Sequence, residues 1–231
     1  MRIEEILSRC DHTVLDRKAG LSAVLECVDD AIAFGCASAC IPSCYVKEAA
    51  LHASGRTKIC TVIGFPNGYT PTEVKLFELD VAIRDGADEI DTVVNLCHLR
   101  DGRLDLITEE LRALKRAAGD RVLKVIIETC LLSEEEKIDL CQAVSDSGAD
   151  YIKTSTGFSK SGATFDDVEL FADHIGPGVK IKAAGGISSI EDAKRFIELG
   201  ADRLGTSRIV KIAKAMMKEQ GNEGNDQDTS Y

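Results

Sequence analysis

The feature that most constrains the fold is a Gly-Ala-Asp triplet that occurs three times, at residues 86–88, 148–150 and 200–202. Each triplet lies between a helix-like segment and an apolar, strand-like segment. A glycine that ends a helix, followed by a short turn, is an economical connection into a strand. The triplets precede the fourth, sixth and eighth predicted strands, and this recurrence favours a closed barrel over an open sheet.

Strand-like and helix-like segments alternate eight times along the chain. We predict strands at residues 11–15, 37–41, from 58 onward, and at 89–94, 122–128, 151–154, 179–183 and 203–205. We predict helices at residues 2–9, 21–34, 46–54, 70–86, 104–118, 133–148, 166–174, 189–200 and 207–219. The expected fold is α/β: a single (β/α)8 TIM barrel over residues 1–219, with a short N-terminal helix. A doubly wound sheet is the alternative, although no Gly-x-Gly-x-x-Gly motif opens the chain.

The composition is that of an ordinary globular protein. In the 231 residues, 44% are hydrophobic, and no apolar run approaches the roughly 18 residues of a membrane span. The first residues do not resemble a secretory signal, so we expect a cytoplasmic protein with no membrane partner. A net charge of −11 without a basic stripe argues against a nucleic-acid partner.

The cysteine and histidine positions argue against a metal centre. Nine cysteines are an odd number in a chain without a secretory signal, which favours reduced thiols. The four histidines are scattered, and none is spaced from another as paired metal ligands are. We therefore predict no metal and no other cofactor.

From Gln220 onward the chain becomes polar and acidic, which predicts a flexible tail over residues 220–231. The tail ends in Tyr231, and a terminal aromatic residue is usually no more than the end of a chain. Alternatively, an extended tail of this length reaches roughly 36 Å, enough to fold over the carboxyl ends of the strands. Tyr231 is then a candidate proton carrier.

Two lysines end neighbouring predicted strands in similar surroundings. Lys153 is followed by three hydroxyl residues and Gly157, and Lys182 is followed by a glycine pair. The two lysines are 29 residues apart, about one strand-helix repeat, so we expect them at matching strand ends. A lone lysine at a strand end most often extends its amine to water. A pair indicates a site in which one neutral amine attacks a carbonyl.

Asp91 and Lys124 add to the charge expected inside the barrel. Asp91 lies in an apolar strand, where a carboxylate needs a charged partner. Lys124 precedes Lys153 by 29 residues and is expected at a comparable level. A structural salt bridge is the alternative explanation, but buried ion pairs are weak stabilisers. A catalytic role therefore explains the four charged residues, Asp91, Lys124, Lys153 and Lys182, better than a structural role does.

Glycine and hydroxyl residues after the last three strands indicate a phosphate site. In barrels of this class the loops after the seventh and eighth strands hold phosphate on backbone N–H groups and a helix N-terminus. The candidates in those loops and in the preceding one are Thr156, Gly157, Gly185, Gly186, Gly205, Thr206 and Ser207.

Five segments in this order together resemble the deoxyribose-phosphate aldolase family: DHTVL at 11–15, DEID at 88–91, LKVIIET at 123–129, IKTSTG at 152–157 and KAAGG at 182–186. The resemblance covers about residues 8–218. It implies a metal-independent class I aldolase, a lyase of carbohydrate degradation. Such an enzyme reversibly cleaves 2-deoxy-D-ribose 5-phosphate to acetaldehyde and D-glyceraldehyde 3-phosphate, in deoxyribose catabolism.

The resemblance also implies residue roles. Lys153 resembles the lysine that forms the Schiff base, and Lys182 the neighbouring lysine that keeps that amine unprotonated. Asp91 matches an acid that relays protons, and Lys124 a lysine grouped with that relay. Cys40 resembles a cysteine that lines the pocket, although a buried, small hydrophobic side chain is an equally good account of it.

Two departures from the family concern phosphate binding. Arg208 stands where many relatives carry a second serine, and Phe158 and Lys160 occupy positions at which relatives vary. Homodimer and homotetramer both remain open as assemblies. Two rival functions also remain: another barrel enzyme acting on sugar phosphates, which needs no lysine pair, and a non-catalytic sugar-phosphate sensor, which does not need Asp91.

Overall fold

The computed structural model describes residues 1–223, with side chains to residue 218. The predicted (β/α)8 barrel is confirmed: within the described residues eight parallel strands close, with the last strand paired to the first. The strands are β1 (Cys10–Thr13), β2 (Ser38–Ile41), β3 (Ile59–Ile63), β4 (Glu89–Val93), β5 (Val122–Ile126), β6 (Tyr151–Lys153), β7 (Lys180–Ala184) and β8 (Ala201–Thr206).

The helices surround this barrel. Over the described part of the chain they are α1 (Ile3–Leu7), α2 (Leu21–Ala33), α3 (Val46–Ala53), α4 (Thr72–Asp85), α5 (Leu96–Arg100), α6 (Leu104–Ala118), α7 (Glu134–Ser147), α8 (Phe165–His174), α9 (Ile190–Glu198) and α10 (Arg208–Glu223). α10 continues past its predicted end at Glu219, and the rest of the predicted tail, with Tyr231, lies outside the described residues. No helix up to Glu223 combines the length and the apolar character that crossing a membrane requires.

Two local features differ from the sequence-based prediction. The helix α5 was not predicted, because five residues are too few to show a helical repeat; Asn95 caps it by accepting a hydrogen bond from the Cys97 N–H at 3.1 Å. The helix α4 begins at Thr72, two residues after its predicted start at residue 70. Pro71 keeps an extended ψ of 145°, so the helical backbone starts one residue later.

The Gly-Ala-Asp triplets have a clear structural role. Gly86 and Gly148 end α4 and α7 in the left-handed conformation that glycine adopts without strain. The aspartate of each triplet then accepts a hydrogen bond from a backbone N–H at the first or second residue of the preceding strand. Asp88 accepts from Ile59 at 2.8 Å, and Asp150 accepts from Leu123 at 2.8 Å. The triplets therefore tie neighbouring strands together at the amino ends of the barrel.

The register sets the level of each interior lysine. Lys153 pairs with Lys182 across β6 and β7, so these two lie at matching positions as predicted. On β5, however, the partner of Lys153 is Ile126, and Lys124 pairs with Tyr151. Lys124 therefore lies two residues nearer the amino end of the barrel than predicted. Strands in a barrel are staggered, so equal sequence spacing does not give equal height.

Candidate active site

A cavity of about 740 Å³ opens at the carboxyl ends of the strands. Its walls come from the loops after β1, β6, β7 and β8 and from the helices α2 and α10. This is the face on which (β/α)8 enzymes carry their active sites. The predicted residues that line it are Lys153, Thr156, Gly157, Gly185, Gly186, Gly205, Thr206 and Ser207.

Lys153 connects this cavity to buried charges below it. Its amine donates a hydrogen bond to Oδ2 of Asp91 at 2.7 Å, and its side chain is 4% exposed. The amine of Lys182 donates to the same oxygen at 2.6 Å and lies 2.5 Å from Oδ2 of Asp11. The two predicted amines therefore share one carboxylate oxygen. Of the two, Lys153 lines the cavity, and Lys182 is fully buried.

Lys124 extends the group of charges toward the amino end of the barrel. Its Nζ lies 2.9 Å from Oδ1 of Asp91 and 2.7 Å from Oε2 of Glu89. Arg203 then contacts Oε2 of Glu89 at 3.0 Å and Oδ1 of Asp11 at 2.5 Å. We name these residues the charge cluster: Asp11, Glu89, Asp91, Lys124, Lys153, Lys182 and Arg203.

The sequence analysis did not assign Asp11, Glu89 or Arg203 to the site. One signal was present for Glu89, which lies two residues before Asp91 in the same apolar strand. Residues two apart on a strand point to the same side. A charged residue at that spacing from a predicted interior carboxylate is therefore itself expected in the interior.

The charges of the cluster stabilise one another. Burial alone would raise the pKa of Asp91, but the surrounding lysines, Lys124 above all, hold it well below its usual range. Burial likewise opposes the charge of Asp11, whose pKa is nevertheless lowered by Lys182 and Lys124. Burial would lower the pKa of Lys182, and the carboxylates of Asp11 and Asp91 raise it above its usual value. These three groups are therefore charged at neutral pH.

Cys40 lies below the cavity and is not among the described residues that line it. It is 1% exposed, and its register partner on β3 is Cys60, whose thiol pKa burial raises well above its usual range. The two sulfur atoms and an oxygen of Asp91 lie within 4.8 Å of one another, as ligands of a metal ion do. Both oxygens of Asp91 already accept hydrogen bonds from lysines. The surrounding ammonium groups make this position unfavourable for a cation.

The three hydroxyl residues after β6 mostly have structural partners. Thr154 donates to a backbone carbonyl of β7 at 3.2 Å, and Ser155 donates to the Thr154 hydroxyl at 3.0 Å. Thr156, which does line the cavity, donates its hydroxyl proton to the carboxylate of Glu128. Glu128 has a φ of +56°, an unusual conformation for a residue other than glycine. Glu128, which sequence analysis missed, therefore fixes the start of the loop after β6.

The glycines beside the cavity allow close backbone packing. A Cβ on Gly162 would lie 2.3 Å from the carbonyl carbon of Gly185, so the loops after β6 and β7 touch through their main chains. Gly185 and Gly186 have φ angles of +76° and +75°, which favour glycine. A Cβ on Gly205 would lie 3.2 Å from Cε of Lys182. Gly205, predicted only as a phosphate residue, therefore also leaves room for the Lys182 side chain.

Cationic side chains line the wall of the cavity that α10 forms. Arg208, Lys211 and Lys214 all border it, but Lys214 is paired with Asp30 at 2.6 Å and with Glu26 at 3.6 Å, so Arg208 and Lys211 supply the excess positive charge. Phe158 borders it as well, whereas Lys160 is exposed and is not among the described lining residues. In a chain with a net charge of −11, a locally cationic wall favours an anionic ligand.

Comparison with known proteins gives consistent relatives. A family model described as DeoC/LacD family aldolase matches residues 6–220. The chain is 57% identical over 221 residues to the deoxyribose-phosphate aldolase of Streptococcus agalactiae serotype Ia, covering 96% of this chain and 99% of the relative. A putative deoxyribose-phosphate aldolase from Coccidioides immitis has a TM-score of 0.90 at 36% identity, covering 94% of this chain and 87% of that one. The tetrameric deoxyribose phosphate aldolase from Aeropyrum pernix has a TM-score of 0.85 at 34% identity, covering 94% and 92%.

Proposed function

The chain belongs to the DeoC/LacD family of aldolases, and we propose that it reversibly cleaves 2-deoxy-D-ribose 5-phosphate to acetaldehyde and D-glyceraldehyde 3-phosphate. The names and the extent of the matched relatives support this substrate. The observation at the site that carries the proposal is the position of Lys153. Among the lysines of the charge cluster, it is the one that lines the cavity.

In the first half of the reaction the unprotonated amine of Lys153 attacks C1 of the open-chain sugar. The resulting carbinolamine loses water and becomes an iminium ion. This sequence requires a proton to leave the amine and a proton to reach the departing hydroxyl. Asp91 contacts the amines of both Lys153 and Lys182, so it can pass protons between them. We assign Lys124 to the same relay, since it contacts the other oxygen of Asp91.

In the second half the iminium ion accepts electrons. The C3 hydroxyl passes its proton to the relay of Asp91 and Lys124, the C2–C3 bond breaks, and its electron pair forms the enamine. The three carbons released are D-glyceraldehyde 3-phosphate. A proton added to the enamine carbon, followed by hydrolysis, releases acetaldehyde and restores the amine of Lys153. Tyr231 remains our candidate for carrying that last proton, although it lies outside the described residues.

The phosphate of the substrate is assigned to the loops after β7 and β8. Gly185, Gly186 and Ser207 border the cavity there, and α10 begins directly after Ser207. Backbone N–H groups and a helix N-terminus attract phosphate. Arg208 adds a cationic side chain at the position where many relatives carry a serine, which compensates for the lost hydroxyl.

Covalent trapping tests the proposal. Sodium borohydride added with acetaldehyde should attach one ethyl group, about 28 Da, to Lys153. Lys153→Leu should take no label, and Lys47→Leu, an exposed residue on α3, should label like the wild type. Lys182→Leu should lose most of its activity. A label on Lys182, or no label on the wild type, contradicts the proposal.

Three broader expectations are part of the same proposal. The chain assembles as a homodimer or homotetramer, and the Aeropyrum pernix relative is described as tetrameric. It acts in the cytoplasm, without a metal or another cofactor. Residues 1–219 form the catalytic domain, and residues 220–231 are a C-terminal tail whose first four residues continue α10. Light scattering of the purified full chain distinguishes the two assemblies.

A further inference from the structure

The charge cluster is a continuous set of ion pairs through the barrel. Asp91 contacts three lysines, Glu89 contacts Lys124 and Arg203, and Asp11 contacts Lys182 and Arg203 at 2.5 Å each. Arg203 has 12% of its side chain exposed, and no other member exceeds 4%. Little water therefore separates these groups, and the charge of each affects all of the others.

The cluster contains four cationic side chains and three carboxylates. With every group ionised it carries one excess positive charge, and with one amine neutral its charges cancel. Arginine does not lose its proton in proteins. Lys124 contacts three carboxylates, at 2.7, 2.9 and 3.7 Å, and Lys182 contacts two. Lys153 contacts one carboxylate and borders the cavity, so it has the fewest anionic partners of the three.

We infer that Glu89 and Arg203, together with Asp11, are positioning residues that set the charge of the reacting amine. The seven groups balance electrically when one amine is neutral, and Lys153, with the fewest carboxylate partners of the three lysines, is the one whose neutral form attacks a carbonyl. Lys182 alone cannot keep Lys153 neutral, because Asp11 and Asp91 offset its charge. The summed charge of the whole cluster keeps Lys153 neutral. This inference rests on the proposed role of Lys153 as the nucleophile.

The other groups that face the cluster do not change this balance. Ser38 donates a hydrogen bond to Asp11 at 2.7 Å, and the Tyr151 ring lies 5.6 Å from the Arg203 guanidinium carbon. Lys58 lies 3.9 Å from Glu89 but is 61% exposed, so water screens its charge. Cys40 and Cys60 face the cluster from β2 and β3; burial raises the pKa of the Cys60 thiol, the hydrogen bond with Cys60 lowers that of Cys40, and both thiols are present unchanged in every variant compared below. Glu128, beyond the end of β5, holds Thr156.

Two substitutions that change the charge in opposite directions test the inference. The measurement is the pH dependence of the rate at which cyanoborohydride traps acetaldehyde on Lys153 in the full chain. Glu89→Gln removes a negative charge, so Lys153 should lose its proton more readily. The acid limb of the profile, where the trapping rate falls as the pH is lowered, should then move to lower pH by about one unit. Arg203→Met removes a positive charge and should move the acid limb up by a similar amount. The double variant restores the balance and should return the limb to its wild-type position.

A buried ion pair outside the barrel provides the matched control. Lys75 and Glu110 contact each other at 2.6 Å between α4 and α6, with side chains 0% and 2% exposed. Glu110→Gln should lower stability and leave the acid limb in place. If Glu89→Gln does not fold, Asp11→Asn replaces it. If Arg203→Met does not fold, Arg203→Gln replaces it.

The outcomes separate this inference from the proposed function. Opposite shifts that cancel in the double variant support the inference. Shifts in the same direction, or no shift while Lys153 of the wild type is labelled, overturn it and leave the proposed function intact. If Lys153 of the wild type is not labelled at all, the proposed function is wrong and this inference falls with it.

Discussion

Replacing Asp91 with asparagine removes the negative charge that three lysines share while keeping the size of the side chain. Asp91 accepts hydrogen bonds from Lys153 at 2.7 Å, from Lys182 at 2.6 Å and from Lys124 at 2.9 Å. In the variant, Lys182 still pairs with Asp11 at 2.5 Å, and Lys124 still pairs with Glu89 at 2.7 Å. Within the described residues, Asp91 is the one carboxylate within 4.0 Å of the Lys153 amine. The variant therefore leaves Lys153 without an anionic partner.

The expected loss of stability follows from these contacts. Removing one partner of a buried ion pair costs about 3–5 kcal/mol of unfolding free energy. Because two of the three lysines keep a carboxylate, we expect the lower end, about 3 kcal/mol at neutral pH. For a chain of this size, the melting temperature should then fall by roughly 6–12 °C.

The difference should also depend on pH, in a direction that the pKa of Asp91 determines. Despite burial, which would raise it, the surrounding lysines lower the pKa of Asp91 well below its usual range in the folded state. The charge therefore contributes stability that is fully present above the unfolded pKa of about 4 and is lost as the pH falls through the folded pKa. The gap between wild type and Asp91→Asn should be constant from about pH 5 to neutrality and should narrow in more acidic solution.

Urea unfolding followed by circular dichroism at several pH values measures this gap. Asp105→Asn is the matched control, because Asp105 pairs with Arg103 at 2.8 Å on the surface, with both side chains more than half exposed. The control should unfold almost like the wild type. If Asp91→Asn is as stable as the wild type at neutral pH, or if the gap stays constant in acid, the ion pairs are not contributing as described.

Three further predictions concern the chemistry and the site. Chelation with EDTA should leave the activity unchanged, because the iminium ion does the work of a metal; lost activity that zinc restores would require a different mechanism. Gly205→Ala should lower both turnover and stability, because a Cβ would lie 2.9 Å from Cβ of Ala184 on β7 and 3.2 Å from Cε of Lys182, so that both the strand and the amine must shift; unchanged turnover would show that the amine position tolerates the shift. Tyr231→Phe should lower turnover about tenfold and slow deuterium exchange into acetaldehyde at unchanged melting temperature, and normal exchange would exclude Tyr231 as proton carrier.

Local sequence patterns were sufficient to predict the barrel and four members of the charge cluster. Alternating apolar segments and the Gly-Ala-Asp triplets indicated the closed sheet, because both report local backbone preferences. Lys153 and Lys182 could be placed together because they stand 29 residues apart at the ends of equivalent segments. Asp91 and Lys124 were found because a charged residue in an apolar strand is readily noticed.

The pairing of these charges, in contrast, depends on how the barrel closes. Arg203 and Asp11 are 192 residues apart in the sequence and meet because β8 pairs with β1. The stagger of the strands also placed Lys124 below the level of Lys153, which its spacing had not indicated. Hydrophobic periodicity gives the side of a strand on which a residue lies, but not its height or its neighbours. Those follow from the register between strands, which the packing of the whole barrel determines.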